Sequence, residues 1–190
     1  SIRKGNQSIL LVIDSQVGVL SYAHNKELII MNIKKVIDKA RSDNIPVIWV
    51  QHSDERLIAN SENWKIVPEL QVRDNEFKIE KHFNSCFEET ELENILGNLN
   101  ATNLVLVGAA TNWCVRATAY AALERGYDVT LVEDAHSTNT MRISEDKKIE
   151  AIDIITELNI AINWTSYPGR RGKTQKTDEI DFLRERNCHE

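Results

Sequence analysis

"NLVLVGAATNWCVRATAYAALERGYDVTLVED", residues Asn103 to Asp134, holds a complete strand, helix and strand unit. "NLVLVGA" (Asn103 to Ala109) is short and almost wholly apolar, as suits a strand buried on both faces. Small residues run from Gly108 to Thr111, and then Val115, Ala119, Ala122 and Leu123 recur at the spacing of one helical face. Gly126 is placed to end that helix in a left-handed cap, and "DVTLVED" (Asp128 to Asp134) reads as the next strand. Strands joined through a helix pair in parallel. The unit therefore predicts an α/β domain, with Cys114 in the first turn of the helix.

The rest of the chain repeats the alternation. "SILLVID" (Ser8 to Asp14), "PVIWVQ" (Pro46 to Gln51) and "EFKIEK" (Glu76 to Lys81) read as strands one to three. A helix opens at Asn25 with Leu28, Ile29, Ile33, Val36, Ile37 and Ala40 on one stripe, and Thr90 with Glu93 suggests a capping box for the next. A last helix is expected from Ser144 to Asn159 and a sixth strand at "IAIN" (Ile160 to Asn163). The expected fold is a three-layer α/β/α sandwich with six mainly parallel strands in the order 3-2-1-4-5-6. One domain spans residues 1–165, followed by a polar tail at 166–190 that either frays or docks on another subunit. The polar stretch from His52 to Arg73 is too long for an idle connection and is a candidate lid.

Composition narrows the function. The 190 residues suit one domain with a sizeable core. A net charge of −6 spread along the chain offers no basic face for nucleic acid. No apolar run approaches the roughly 18 residues a membrane span needs, and no apolar leader precedes the first strand. With three cysteines, Cys86, Cys114 and Cys188, this reads as a cytoplasmic protein with reduced thiols. "GRRGKT" (Gly169 to Thr174) imitates the end of a phosphate loop, but Tyr167 stands where the first glycine belongs.

In open parallel sheets, ligands bind beyond the carboxyl ends of the strands, where strand order reverses. Three reactive side chains meet that condition: Asp14 ends strand one, Lys81 ends strand three, and Cys114 follows strand four. Singly each has an ordinary structural explanation, as a turn residue, a solvated lysine or a small buried hydrophobe. Together they make a nucleophilic site. A helix start and the Lys81 ammonium are expected to lower the thiol pKa. Asp14 can take the thiol proton and return it to a leaving amine. The small residues before Cys114 let backbone N–H groups approach an oxyanion.

These residues resemble the isochorismatase-like cysteine hydrolases, a superfamily that includes nicotinamidases, N-carbamoyl amidases and isochorismatases. The resemblance runs from about Ser8 to Gly169 and rests on "LLVIDSQVGVL", "KHFNSCF", "GAATNWCV" and "GYDVTLVEDAHST". It implies a catalytic triad of Asp14, Lys81 and Cys114, a cis peptide between Ala109 and Ala110, and an oxyanion hole of the Ala110 and Cys114 N–H groups. It also implies a homodimer or homotetramer. Isochorismatases proper lack the cysteine, so Cys114 favours cleavage of a carbon–nitrogen bond. Where metal-containing nicotinamidases carry Asp-x-His, this chain has "VQHSDE"; His52 and Asp54 alone make no convincing metal site, and neither a metal nor an organic cofactor is expected.

Gln16, His52, Trp64, Trp113 and His136 are the substrate-binding candidates, while His82, Cys86 and Cys188 read as incidental. The expected activity is hydrolysis of a small amide, lactam or ureido compound through a Cys114 thioester. "VQHSDE…W" and "SYPGR" resemble broad cysteine hydrolases, including streptothricin-hydrolase-like lactam openers. The alternatives are an isochorismatase-type vinyl-ether hydrolase and a non-catalytic binding or thiol-redox protein with Cys86 and Cys114 as the couple.

Overall fold

Strand β1 (Gln7–Ile13) shows how the layers arise. Successive side chains of a strand point to opposite faces. Ile9, Leu11 and Ile13 enter one apolar layer and Leu10 and Val12 the other, and all five are fully buried. β4 (Ala101–Ala109) does the same, with Leu104 and Leu106 opposed to Val105 and Val107. Burying both faces requires helices on both, which is why these strands read as unbroken apolar runs. The computed structural model describes residues 3–183, so Cys188 lies outside the described residues.

The helices fill the two layers. α2 (Lys26–Ser42) covers one face through Ile30, Ile33, Val36, Ile37 and Ala40, next to the short α1 (Val17–Leu20). α3 (Leu92–Asn98), α4 (Arg116–Glu124) and α5 (Ala151–Trp164) supply the other. β2 (Val47–His52), β3 (Phe77–Lys81) and β5 (Asp128–Ser137) complete the parallel centre. Two short strands, β6 (Met141–Arg142) and β7 (Lys148–Ile149), form a separate hairpin. The main sheet has seven strands in the order β3-β2-β1-β4-β5-β9-β8, where β8 is Ser166–Tyr167 and β9 is Arg170–Gln175. This is a three-layer α/β/α sandwich whose order reverses between β1 and β4.

Three local expectations are corrected. "IAIN" is the end of α5, because Ala151, Ile154, Ile155, Leu158 and Ile162 form one buried helical stripe that runs through it. The sixth parallel position is taken by β9, which pairs with β5 at Val129↔Gly172 through Val132↔Gln175. Gly172 is required there, since a Cβ would stand 2.6 Å from the Ile162 carbonyl oxygen. Residues Ser144 to Glu150, expected to be helical, carry β7 and a turn. The Thr90 capping box does not form: Glu93 pairs with Arg3 at 2.7 Å and accepts from the Tyr127 hydroxyl at 3.0 Å. The Gly126 cap is present, with the Tyr127 N–H on the Ala122 carbonyl and the Gly126 N–H on that of Leu123.

Candidate active site

The backbone delivers three side chains to the reversal point. β1 ends at Ile13, and Asp14 takes φ 44°, a left-handed turn fixed by its N–H on the Val50 carbonyl at 2.9 Å. β4 lies against β1 so closely that Gly108 admits no side chain; a Cβ would stand 1.9 Å from the Ile13 carbonyl oxygen. The Ala109–Ala110 peptide is cis. Thr111–Val115 then form a single π-helical turn before α4, with the Trp113 and Val115 N–H groups both on the Ala110 carbonyl. Cys114 sits in this turn and Lys81 ends β3.

Their contacts are close. Lys81 Nζ lies 2.9 Å from Asp14 Oδ2 and donates to Cys114 Sγ at 3.2 Å and to the Phe83 carbonyl at 3.0 Å. Asp14 and Lys81 are wholly enclosed, and Cys114 is 8 % exposed. Asp14 Oδ1 is buried and has no hydrogen-bond partner.

The electrostatics differ from the expected lowering of the thiol pKa. Burial, and then the Asp14 carboxylate, push the Cys114 thiol well above the ordinary range; Lys81 opposes this and is outweighed. Burial likewise raises Asp14, against the pull of Lys81. Lys81 is penalised by burial, but the charges of Asp14 and Cys114 more than offset it, and its pKa rises. One ammonium thus faces two acids, each of which burial makes harder to ionise. Moving the thiol proton to Asp14 leaves the buried net charge unchanged, which is the least costly way to make a thiolate here.

The other expected residues fall in different settings. Gln16 is fully buried, and its carboxamide is occupied by the His52 N–H, the His52 carbonyl and the Trp64 carbonyl, at 2.8–2.9 Å. Trp64 is half-buried, with Nε1 enclosed and unpartnered; Trp113 is exposed beside Cys114. His52 adjoins the site, with Nδ1 3.2 Å from Lys81 Nζ and Nε2 3.1 Å from Asp54 Oδ2. His136 lies on the far side of the cysteine turn. It is enclosed, with Nδ1 2.8 Å from Thr111 Oγ1 and Nε2 2.9 Å from Asn159 Oδ1.

His82 bonds Ser53, and Cys86 is a buried free thiol whose pKa burial pushes up to about 12. Among the described residues no group of three or more His, Cys, Asp or Glu side chains could hold a metal ion, and no helix is long and apolar enough to cross a membrane. The Phe83 carbonyl is the site member that sequence reasoning missed. A backbone acceptor carries no residue-type signal.

The candidate lid is packed rather than free. It is tied down by a bridge between Gln16 and Ile66, by N–H donation from Val17 to Lys65, Gly18 to Asn63 and Val67 to Ser15, and by bonds from Ser53 to the Lys81 carbonyl and from Gln51 to the Trp64 carbonyl. Leu57, Val67 and Leu70 are buried beneath it.

The chain is of the doubly wound α/β/α class, with a lysine, an aspartate and a cysteine gathered where the strand order reverses. The Isochorismatase domain matches residues 8–161, and the chain belongs to this family of hydrolases. An isochorismatase family protein of Bacillus subtilis, YddQ, is 33 % identical over 144 residues, covering 73 % of this chain and 79 % of that one. Streptothricin hydrolase of Streptomyces noursei is 27 % identical over 135 residues, covering 68 % and 54 %. In fold, the crystal structure of a putative isochorismatase hydrolase from Oleispira antarctica superposes with a TM-score of 0.83 at 23 % identity, covering 94 % and 97 % of the two chains.

Proposed function

We propose that the chain is a cysteine amidohydrolase that opens the C–N bond of a small amide, lactam or ureido compound. The observation that carries this reading is the Lys81 ammonium, 3.2 Å from the Cys114 sulfur and 2.9 Å from Asp14 in an enclosed site. Asp14 removes the thiol proton as sulfur attacks the carbonyl carbon, so the C–S bond forms and the carbonyl electron pair moves to oxygen. The Ala110 and Cys114 N–H groups receive that oxyanion. Asp14 then passes its proton to the departing nitrogen, the C–N bond breaks and a thioester remains. Water, deprotonated by Asp14, attacks the thioester. The C–S bond breaks, Lys81 stabilises the thiolate, and Asp14 returns the proton to sulfur.

The streptothricin hydrolase relative supports a hydrolytic reaction. Exposed Trp113 gives a planar apolar wall beside the nucleophile. The test is a panel of small amides, lactams and ureido compounds scored for release of ammonia or a free amine. Wild type is expected to release it and Cys114→Ala to release none. Ammonia or amine release that survives loss of the thiol would overturn the reading.

A further inference from the structure

Lys81 has three ammonium hydrogens. Four acceptors nevertheless stand within 3.2 Å of its Nζ: Asp14 Oδ2, the Phe83 carbonyl, Cys114 Sγ and His52 Nδ1. One hydrogen must therefore be shared. A neutral thiol is a weak acceptor and an imidazole nitrogen a good one, so the contested pair is the sulfur and His52.

The surroundings prepare His52 for that task. A charged lysine cannot accept, so Nδ1 must, and the ring hydrogen then sits on Nε2, facing Asp54 Oδ2 at 3.1 Å. Asp54 is itself fixed by the N–H groups of Leu57 and Arg56, at 2.7 and 2.8 Å, which hold its carboxyl below the usual range. The His52 backbone is clamped on both its N–H and its carbonyl by Gln16. One tautomer in one place is the result.

We infer that His52 is a positioning residue of the nucleophile site, accepting the shared Lys81 hydrogen while Cys114 is a thiol and releasing it to the sulfur when the thiol proton leaves. Lys81 is thereby kept aimed between Asp14 and Cys114 through both halves of the reaction. The inference rests on Cys114 as the nucleophile paired with Lys81, but its test needs no substrate. A failed amide panel and a failed test are therefore separate results.

The test follows alkylation of Cys114 by iodoacetamide across pH, read at that residue by peptide mass mapping, in wild type and in His52→Ala, His52→Asn and His52→Gln. The charged groups facing the sulfur are Asp14, just after β1, and Lys81 at the end of β3, and both are unchanged in these variants. Asparagine places an acceptor near the lost Nδ1; glutamine fills the space but carries its amide one bond further, toward Asp54. Without the competing acceptor, Lys81 donates fully to sulfur. The alkylation midpoint should fall by about one pH unit in His52→Ala and His52→Gln and stay near wild type in His52→Asn. Easier access alone would raise the high-pH plateau and leave the midpoint in place. An unmoved midpoint in His52→Ala and His52→Gln, or an asparagine variant shifted as far as alanine, would overturn the inference.

Discussion

Two buried polar clusters flank the cysteine turn, and they are built on opposite principles. On one side Thr111, His136 and Asn159 form a neutral chain in which both ring nitrogens are bonded, and the Asn159 amide also donates to the Glu133 carbonyl. On the other, Asp14, Lys81 and Cys114 are charged or ionisable, with one carboxylate oxygen unpartnered and an ammonium offered more acceptors than it has hydrogens. A saturated neutral cluster holds backbone in place; leaving its polar atoms unpaired would cost stability with nothing gained. An unsaturated charged cluster keeps a proton movable.

That contrast can be broken from either side. The largest effect expected is from Cys114→Ala, which should lower hydrolysis by at least about 10⁴-fold, as loss of a nucleophile does elsewhere, while thermal unfolding shows the fold retained. Asp14→Asn keeps the shape but cannot take a proton. It should reduce kcat by about 10²–10⁴-fold, and an unchanged kcat would remove Asp14 from the chemistry.

The neutral cluster should answer in stability instead. Burial pushes His136 down to about 4 from an ordinary 6.5. Above pH 6.5 the ring is neutral whether folded or unfolded. As pH falls below 6.5 the unfolded chain binds a proton that the folded one does not, so stability drops until about pH 4. The loss from this group is on the order of 3 kcal/mol. Denaturant titrations at several pH values should show that slope flattened in His136→Gln. Smallest is Thr111→Val, which strands His136 Nδ1 and should cost about 1–3 kcal/mol in the same titrations. Activity per folded molecule should be unchanged, and a matching loss of kcat would merge the two clusters into one.

Much of this arrangement is legible in the order of residue types. The central strands announce themselves because double burial demands unbroken apolar runs, and Asp14, Lys81 and Cys114 stand at their ends. β9 does not announce itself: "RRGKTQ" is polar, and Gly172 fits beneath α5 for lack of a side chain rather than by burying one. "IAIN" misleads because β-branched residues favour strands until the helical stripe through Leu158 and Ile162 is followed to its end. Gln16 follows Asp14 by two residues and His136 lies in register with Gly108, yet periodicity cannot say that their hydrogen bonds are already filled. The direction of the Cys114 shift was also hidden. It depends on depth of burial, which a spacing pattern does not contain.

The clamp by Gln16 has an evolutionary consequence. One carboxamide grips the loop at His52 and again at Trp64, and the adjacent bridge to Ile66 fastens the same end. The residues in between form a cassette whose two ends are held together by Gln16, with Gln51 of β2 also donating to the Trp64 carbonyl at 3.0 Å. Changes of length or sequence inside it can accumulate without moving Asp14, Lys81 or Cys114, which all stand outside it.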